Sequence, residues 1–243
     1  YIVIIHDQTE KARVDKIKGE FVSSVSHELR TPLTSIRGSL GLIVGGAMGE
    51  LPEKALKLLQ VANSNAERLH TLINDLLDFE KLEYGGMTFK LSSLKLAEVV
   101  DKTIQFNLPY AEKYKVQLEK VVPAELIELR SKVDEDRLQQ VLANLVSNAI
   151  KFSPENSVVS LVLSREDQRL RLSVVDRGIG ISDEFRQRIF TKFSQADGSG
   201  TKKYAGTGLG LSLAKAMVEK MNGQIGFESE VGKGSTFYVE FEV

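Results

Sequence analysis

The sequence contains no cysteine, which excludes a disulfide framework, an iron–sulfur cluster and a thiolate zinc site. Histidine is scarce: His6, His27 and His70 are scattered along the chain and do not suggest a zinc enzyme. A surplus of one charge is missing too, with 32 basic residues against 33 acidic ones and a formal net charge of −1. A protein that coats nucleic acid or an anionic membrane needs a basic excess, so neither partner is expected. Long apolar runs are also absent. The longest is Tyr1–Ile5, far short of a membrane span, and no signal-peptide pattern opens the chain. What remains is an ordinary globular composition of 243 residues, 42% hydrophobic and 27% charged, enough for one large domain or two modest ones. The chain reads as soluble. Opening in mid-strand without an initiator Met, it also reads as cut from something larger.

The first third is helical. After a short strand predicted over Tyr1–Ile5, a polar stretch from Thr9 leads into a series at 3–4 spacing. Val14, Ile17, Phe21, Val25, Leu29, Leu33, Ile36, Leu40 and Ile43 fit one helical stripe. Gly45, Gly46, Gly49 and Pro52 break it. A second series, Ala55, Leu58, Ala62, Ala66, Leu69, Ile73 and Leu76, runs to about Leu82 before Gly85 and Gly86. Two long helices joined by a short loop make an antiparallel hairpin. One hairpin has one internal seam and leaves Val22, Leu59, Leu72 and Leu77 over. Pairing two hairpins into a four-helix bundle buries that remainder, so this third is expected to form a homodimer.

His27 stands two residues from both Val25 and Leu29, about 200° around the helix from each. It should face solvent while they face the core. Glu28 adjoins it, and Thr31 shares its face one turn on. Pro32 lacks an N–H and its ring presses on the Glu28 carbonyl, so a bend is expected there. An ordinary surface histidine on a kinked helix would read the same way. An interior proline costs about 3 kcal/mol, however, and a kink one turn past an exposed imidazole needs a compensating use. His6, at the end of the first strand, and His70, on the second helix, read as surface or bundle-edge residues.

From about Met87 short strands alternate with helices. A helix ends over Pro109–Lys115, and Val116–Val122 reads as a strand. Asp134–Phe152 is a helix whose buried stripe is Leu138, Leu142, Leu145 and Ala149. Gln140, Asn144, Asn148 and Lys151 form a second row on it. Two amide oxygens and a cation in one row suit Mg²⁺ shared with phosphates, since Mg²⁺ takes few protein ligands; a solvated helix face is the plain alternative. Val158–Leu163 and Leu170–Val175 read as paired strands. Period-2 alternation puts Asp176 on the apolar side with Leu170, Leu172 and Val174, where its carboxylate must find donors. Gly178-Ile179-Gly180 follows, a turn that lets backbone approach a ligand. A carboxylate there could accept from an exocyclic amine such as that of adenine, or simply cap its own turn.

Ser194–Tyr204 is rich in Gly, Ser, Thr and Lys and is expected to be mobile. Gly206-Thr207-Gly208-Leu209-Gly210-Leu211 then opens a helical run, Ser212–Met221. Free amides at a glycine-rich helix start make an anion site. The pattern is neither GxGxxG nor a Walker A loop, which disfavours Rossmann and P-loop enzymes. Gln224–Glu228 and Ser235–Val243 read as strands joined through Gly232-Lys233-Gly234.

His27-Glu28-Leu29-Arg30-Thr31-Pro32 resembles the H-box of two-component sensor histidine kinases, and further motifs follow in that family's order. Asn144 to Lys151 resembles the N-box, Asp176 to Gly180 the G1 box, Phe190 to Phe193 the F-box and Gly206 to Gly210 the G2 box. The likeness covers about Asp15 to Val243. It implies an α+β, two-domain protein. Residues 9–86 would be a signalling helix with the dimerisation and histidine-phosphotransfer domain. Residues 87–243 would be a catalytic ATP-binding α/β sandwich of the GHKL (Bergerat) type. Residues 1–8 resemble the tail of a PAS-type domain. The implied location is cytoplasmic, in a parent that a bacterial inner membrane could anchor.

The resemblance also implies roles. His27 would attack the γ-phosphate of ATP, and Glu28 would take the proton on the other ring nitrogen. Thr31 would orient a water for dephosphorylating a response regulator, the partner that otherwise receives the phosphoryl group. Asn144 and Asn148 would hold Mg²⁺, Lys151 would meet phosphate, Phe152 would pack near the base and Asp176 would read the adenine amine. Gly178, Gly180, Gly206, Gly208 and Gly210, with Thr207 and Leu209, would shape the ATP pocket and its lid. Lys202 and Lys203 stand where relatives often carry an arginine, so which of them reaches the γ-phosphate stays open. Signals are expected to act by bending the helix at Pro32. Two rival readings share the nucleotide motifs: a GHKL-type ATPase that would not need His27, and a phosphatase-only scaffold without autokinase activity. A serine hydrolase built on Gly210-Leu211-Ser212 is excluded, since no histidine follows the serine.

Overall fold

The computed structural model describes residues 9–84, 86–195 and 207–243, with side chains from residue 24 onward except that of His27. The strand expected over Tyr1–Ile5 and most of the mobile stretch expected over Ser194–Tyr204 lie outside the described residues. Two compact units divide between Met87 and Thr88.

The first unit is a hairpin of α1 (Thr9–Val44) and α2 (Glu53–Glu83). Pro32 lies inside α1, which is helical on both sides of it. The break falls at the glycines, where Gly46 and Gly49 take positive φ that a side chain would resist. Pro52 precedes the first residue of α2, and Glu53 in its first turn suits the helix dipole. The seam differs from the expected one. It joins Leu33 of α1, with Leu40 beside it, to Ala66, Ile73 and Leu77 of α2. Leu77, expected to be left over, is 4% exposed, whereas Leu58 and Leu69, expected inside, are 72% and 48% exposed. Val25, Leu29 and Ile36 of the α1 stripe are open as well, so Val25 and Leu29 do not face the core of the hairpin. The reason is geometric. Steps of four and three residues drift about +40° and −60° around a helix, so the unbroken run of fours from Ile17 to Leu33 carries Leu33 round to another face from Val25. Ala66, Ile73 and Leu77 follow steps of seven and four and stay on one.

The second unit is a five-stranded sheet with helices on one face. Its order is β2 (Gln117–Val121), β4 (Val158–Glu166), β5 (Arg169–Val175), β7 (Gly234–Glu242) and β6 (Gln224–Glu230). Only β2 and β4 pair in parallel. A two-stranded ribbon, β1 (Ser92–Lys95) with β3 (Arg130–Val133), stands apart from the sheet. Helices α3 (Leu96–Lys113), α4 (Glu135–Phe152) and α6 (Gly210–Lys220) cover the sheet, and α5 (Asp183–Arg186) is a single turn. Alternation in β4, β5 and β7 sends Leu161, Leu163, Leu170, Leu172, Val174, Val239 and Phe241 inward, all buried. They meet Leu138, Val141, Leu142, Leu145, Val146, Ala149 and Ile150 of α4. Asp134 caps α4 by accepting from Arg137 N–H (3.0 Å), and its other oxygen accepts from Lys90 N–H at 2.6 Å. Loss of such a cap costs about 1 kcal/mol. Among the described residues no helix is long and apolar enough to cross a membrane.

Candidate functional site: a nucleotide pocket on the sheet and a histidine on the hairpin

Four stretches of the second unit converge at one end of its strands, where β5 leaves the middle of the sheet. The first is the polar row of α4. Because its apolar neighbours are drawn onto the sheet, Gln140, Asn144, Asn148 and Lys151 emerge half-buried along the rim. The second is the turn after β5. Asp176 is 7% exposed, and its Oδ1 accepts from Gly178 N–H at 2.7 Å and from Ser235 N–H at 3.2 Å. Burial pushes its carboxyl above the ordinary carboxylate range, and the two N–H donors pull it part of the way back. Asp176 therefore caps its own turn, as the plain reading held. Both bonds fall on Oδ1, however, and Oδ2 carries neither.

Close backbone approaches join these stretches. A Cβ on Gly178 would sit 2.6 Å from the Phe152 carbonyl oxygen, so the end of α4 rests on the turn. Lys151 Nζ lies 5.2 Å from the centre of the Phe152 ring. Gly180 has φ +69°, and a Cβ there would overlap the Glu230 carbonyl. The third stretch is the start of α6. Asn144 lays its side-chain oxygen where a Cβ of Gly210 would be. Leu209 N–H donates to Thr207 Oγ1 at 3.2 Å, and Ser212 Oγ donates to the Leu209 carbonyl at 2.8 Å. The first N–H groups of α6 have no partner within the helix, which suits an anion. The fourth is Phe190–Phe193. Gly208 (φ +75°) packs on the backbone of Phe193, itself at φ +60° and largely exposed. Phe190 packs edge-on against Phe227 at 5.9 Å.

Asn144, Asn148, Lys151, Phe152, Asp176, Gly178, Gly180, Thr207, Gly208, Leu209 and Gly210 thus lie around one rim. Lys202, Lys203 and Gly206 lie outside the described residues. His27, Glu28 and Thr31 belong to the other unit, on α1, where Glu28 and Thr31 are exposed. The donors that α4 offers a cation are neutral amide oxygens, which fit a Mg²⁺ already carrying phosphate charge. Sequence reasoning missed the support behind Asp176. Ser235 holds the carboxylate, and Ser229 and Gly234 pack behind it. Only the β5–β7 register, pairing Val175 with Thr236, brings them there.

Comparison with known proteins agrees with this geometry. The family model described as histidine kinase-, DNA gyrase B- and HSP90-like ATPase matches residues 133–243. That of the His Kinase A (phospho-acceptor) domain matches residues 17–85. Sensor histidine kinase WalK of Bacillus subtilis (strain 168) is 36% identical over 237 residues, covering 97% of this chain and 38% of WalK. Full-length ShkA in complex with AMPPNP superposes with a TM-score of 0.70 at 29% identity, over 91% of this chain and 45% of that one. Histidine kinase ThkA in complex with response regulator protein TrrA gives a TM-score of 0.65 at 27% identity, over 97% of this chain and 65% of that one. The chain spans from about a quarter to two fifths of the length of the curated relatives it matches. With a phospho-acceptor hairpin and a histidine kinase-type ATPase unit in one chain, it belongs to the two-component sensor histidine kinases.

Proposed function

We propose that this chain is a kinase core that phosphorylates His27 from Mg-ATP and passes the phosphoryl group to an aspartate of a response regulator. One observation carries the reading: the rim formed by α4, the Asp176 turn and the start of α6 collects the donors and acceptors a nucleoside triphosphate needs. Asp176 Oδ2 accepts the adenine amine, Phe152 lies by the base, and Lys151 with the α6 amides meets the phosphates. Asn148, with Asn144, holds Mg²⁺, which when bound offsets phosphate charge. The reading is supported by the AMPPNP complex of ShkA. In the transfer, an imidazole nitrogen of His27 attacks the γ-phosphorus. The bond to the β-phosphate oxygen breaks, and ADP leaves with its electron pair. Glu28 takes the proton of the other ring nitrogen, which keeps the attacking nitrogen basic. Phosphoryl transfer is mostly positioning and charge neutralisation, so the two units must assemble the geometry.

In this proposal residues 9–86 are the signalling helix and dimerising phosphotransfer domain, residues 87–243 are the ATP-binding domain, and residues 1–8 end a preceding PAS-like domain. Two copies pair through the apolar residues the hairpin leaves open, in the cytoplasm. A response regulator as partner is supported by the ThkA–TrrA complex; its receiver docks on the hairpin near His27, and Thr31 orients water when the core acts as a phosphatase. The test is incubation with γ-labelled ATP and Mg²⁺, comparing the chain with His27→Gln. Acid-labile, alkali-stable label on the first and none on the second is expected. Equal hydrolysis by both without label would instead make the chain a GHKL-type ATPase.

A further inference from the structure

The hairpin between β6 and β7 does more than close the sheet. Ser229, near the end of β6, turns its hydroxyl to the loop after Asp176, where it accepts from Ile181 N–H at 2.9 Å. The same oxygen donates to the Gly234 carbonyl at 2.9 Å and lies 2.9 Å from Ser235 Oγ. A hydroxyl has one proton and two lone pairs. With its proton on Gly234, Ser229 accepts from Ile181 and from Ser235, and its capacity is filled by protein. It is therefore not a ligand-contacting group. Two further ties complete the clamp. Gly232 N–H donates to the Ile179 carbonyl at 2.8 Å, and Asp176 N–H donates to the Ser235 carbonyl at 2.8 Å. Arg186 adds a hydrogen bond to the Ser229 carbonyl.

The loop Gly178–Ile181 is thus fastened at its far end by Ser229, in the middle by Gly232 and at its near end by Ser235. Its near end also carries Gly178 N–H, one of the two donors that orient the Asp176 carboxylate. We infer that Ser229 is a positioning residue for nucleobase selectivity: by anchoring Ile181 it holds Gly178 N–H on Oδ1, so that Oδ2 stays aimed at the exocyclic amine. The inference rests on the reading of Asp176 as the adenine acceptor. Without the Ser229 hydroxyl, Ile181 N–H loses its acceptor, the loop loosens and the carboxylate turns. Contacts to ribose and phosphates, made elsewhere on the rim, are spared.

The experiment is equilibrium titration of the whole chain with Mg-ATP and with Mg-ITP, which carries an oxo group where ATP has its amine. Ser229→Ala is expected to weaken ATP about tenfold and ITP no more than about twofold, the scale of one unsatisfied donor transmitted to one contact. Ser229→Thr, which keeps the hydroxyl, is expected to bind as the parent does. Should Ser229→Ala not fold, Ser229→Cys carries the same comparison with a weaker acceptor. Equal losses for both nucleotides would reduce Ser229 to a structural residue, and no loss for either would remove the clamp from recognition. Asp176→Asn separates the two readings. It is expected to shift preference towards ITP, and an unchanged preference there would overturn the adenine assignment itself. If Asp176→Asn shifts preference while Ser229→Ala weakens both nucleotides alike, the assignment stands and the Ser229 inference falls.

Discussion

Arg30 Nε donates to Asn74 Oδ1 at 3.2 Å, tying the H-box of α1 to α2 across the hairpin. Asn74 Nδ2 in turn lies 3.2 Å from Nδ1 of His70. A neutral imidazole accepts that bond, and a protonated one cannot. Burial lowers the His70 pKa from its ordinary 6.5, and the Arg37 and Arg30 cations lower it further. The folded hairpin thus holds fewer protons here than the unfolded chain does, so acid favours unfolding. The contribution is complete above the ordinary value and is lost as pH falls through it towards the lowered one. Melting of the hairpin, followed by helical circular dichroism, should drop as pH falls through about 6.5. His70→Gln, which keeps an acceptor but cannot titrate, should show a smaller drop. An identical drop would rule out His70 as its source.

Two apolar faces on one hairpin make two different predictions. Leu77 is sealed in the seam, so Leu77→Ala should cost about 2–5 kcal/mol of stability. Leu69 is open on the protomer, so Leu69→Asp should spare the helix content of a single chain but oppose pairing, since a charge would be buried between copies. Light scattering should then report a monomer for Leu69→Asp, and a dimer for Leu77→Ala wherever it stays folded. A dimeric Leu69→Asp would place the interface on another face.

That division marks the limit of what the sequence made legible. Helix α4 was readable, because Leu138, Leu142, Leu145 and Ala149 keep one period, although Asp134, read as its first residue, is its cap. Asp176 was readable as buried because a strand alternates strictly. The seam was not, since periodicity tells which residues share a face and not which neighbour that face meets. Nor was the role of Ser235. It reaches Asp176 only through the long-range pairing of β5 with β7, a relationship that no local pattern carries.

Two glycines of the rim should respond in opposite ways to the same added methyl group. Gly210 begins α6, where alanine is the better helix former by about 1 kcal/mol. The atom its Cβ would displace is the side-chain oxygen of Asn144, which can rotate away. Gly210→Ala should therefore melt no lower than the parent while its KM for Mg-ATP rises about tenfold, as a well-placed polar contact is lost. Gly180 has φ +69° and faces the Glu230 carbonyl, which belongs to the sheet and cannot swing aside. Gly180→Ala should lose about 1–3 kcal/mol to backbone strain alone, and nucleotide binding with it. Calorimetry of both variants with and without ATP separates the cases. Equal melting of the two would contradict this account.

Pro32 sits four residues beyond Glu28 and five beyond His27, inside a helix that continues on both sides of it. A proline there withholds the N–H that the Glu28 carbonyl would accept, at a cost of about 3 kcal/mol relative to alanine. If the weakened turn serves signalling, Pro32→Ala should do two things together. The hairpin should melt higher, because a backbone hydrogen bond is restored and the ring no longer presses on the carbonyl. The ratio of autophosphorylation to regulator dephosphorylation should change severalfold, because the turn that separates His27 from the rest of α1 stiffens. Both rates are measured on one preparation, with γ-labelled ATP for the first and a phosphorylated receiver for the second. A more stable hairpin with unchanged rates would show that α1 tolerates the proline without using it. The proline would then have no part in coupling a signal to the rates.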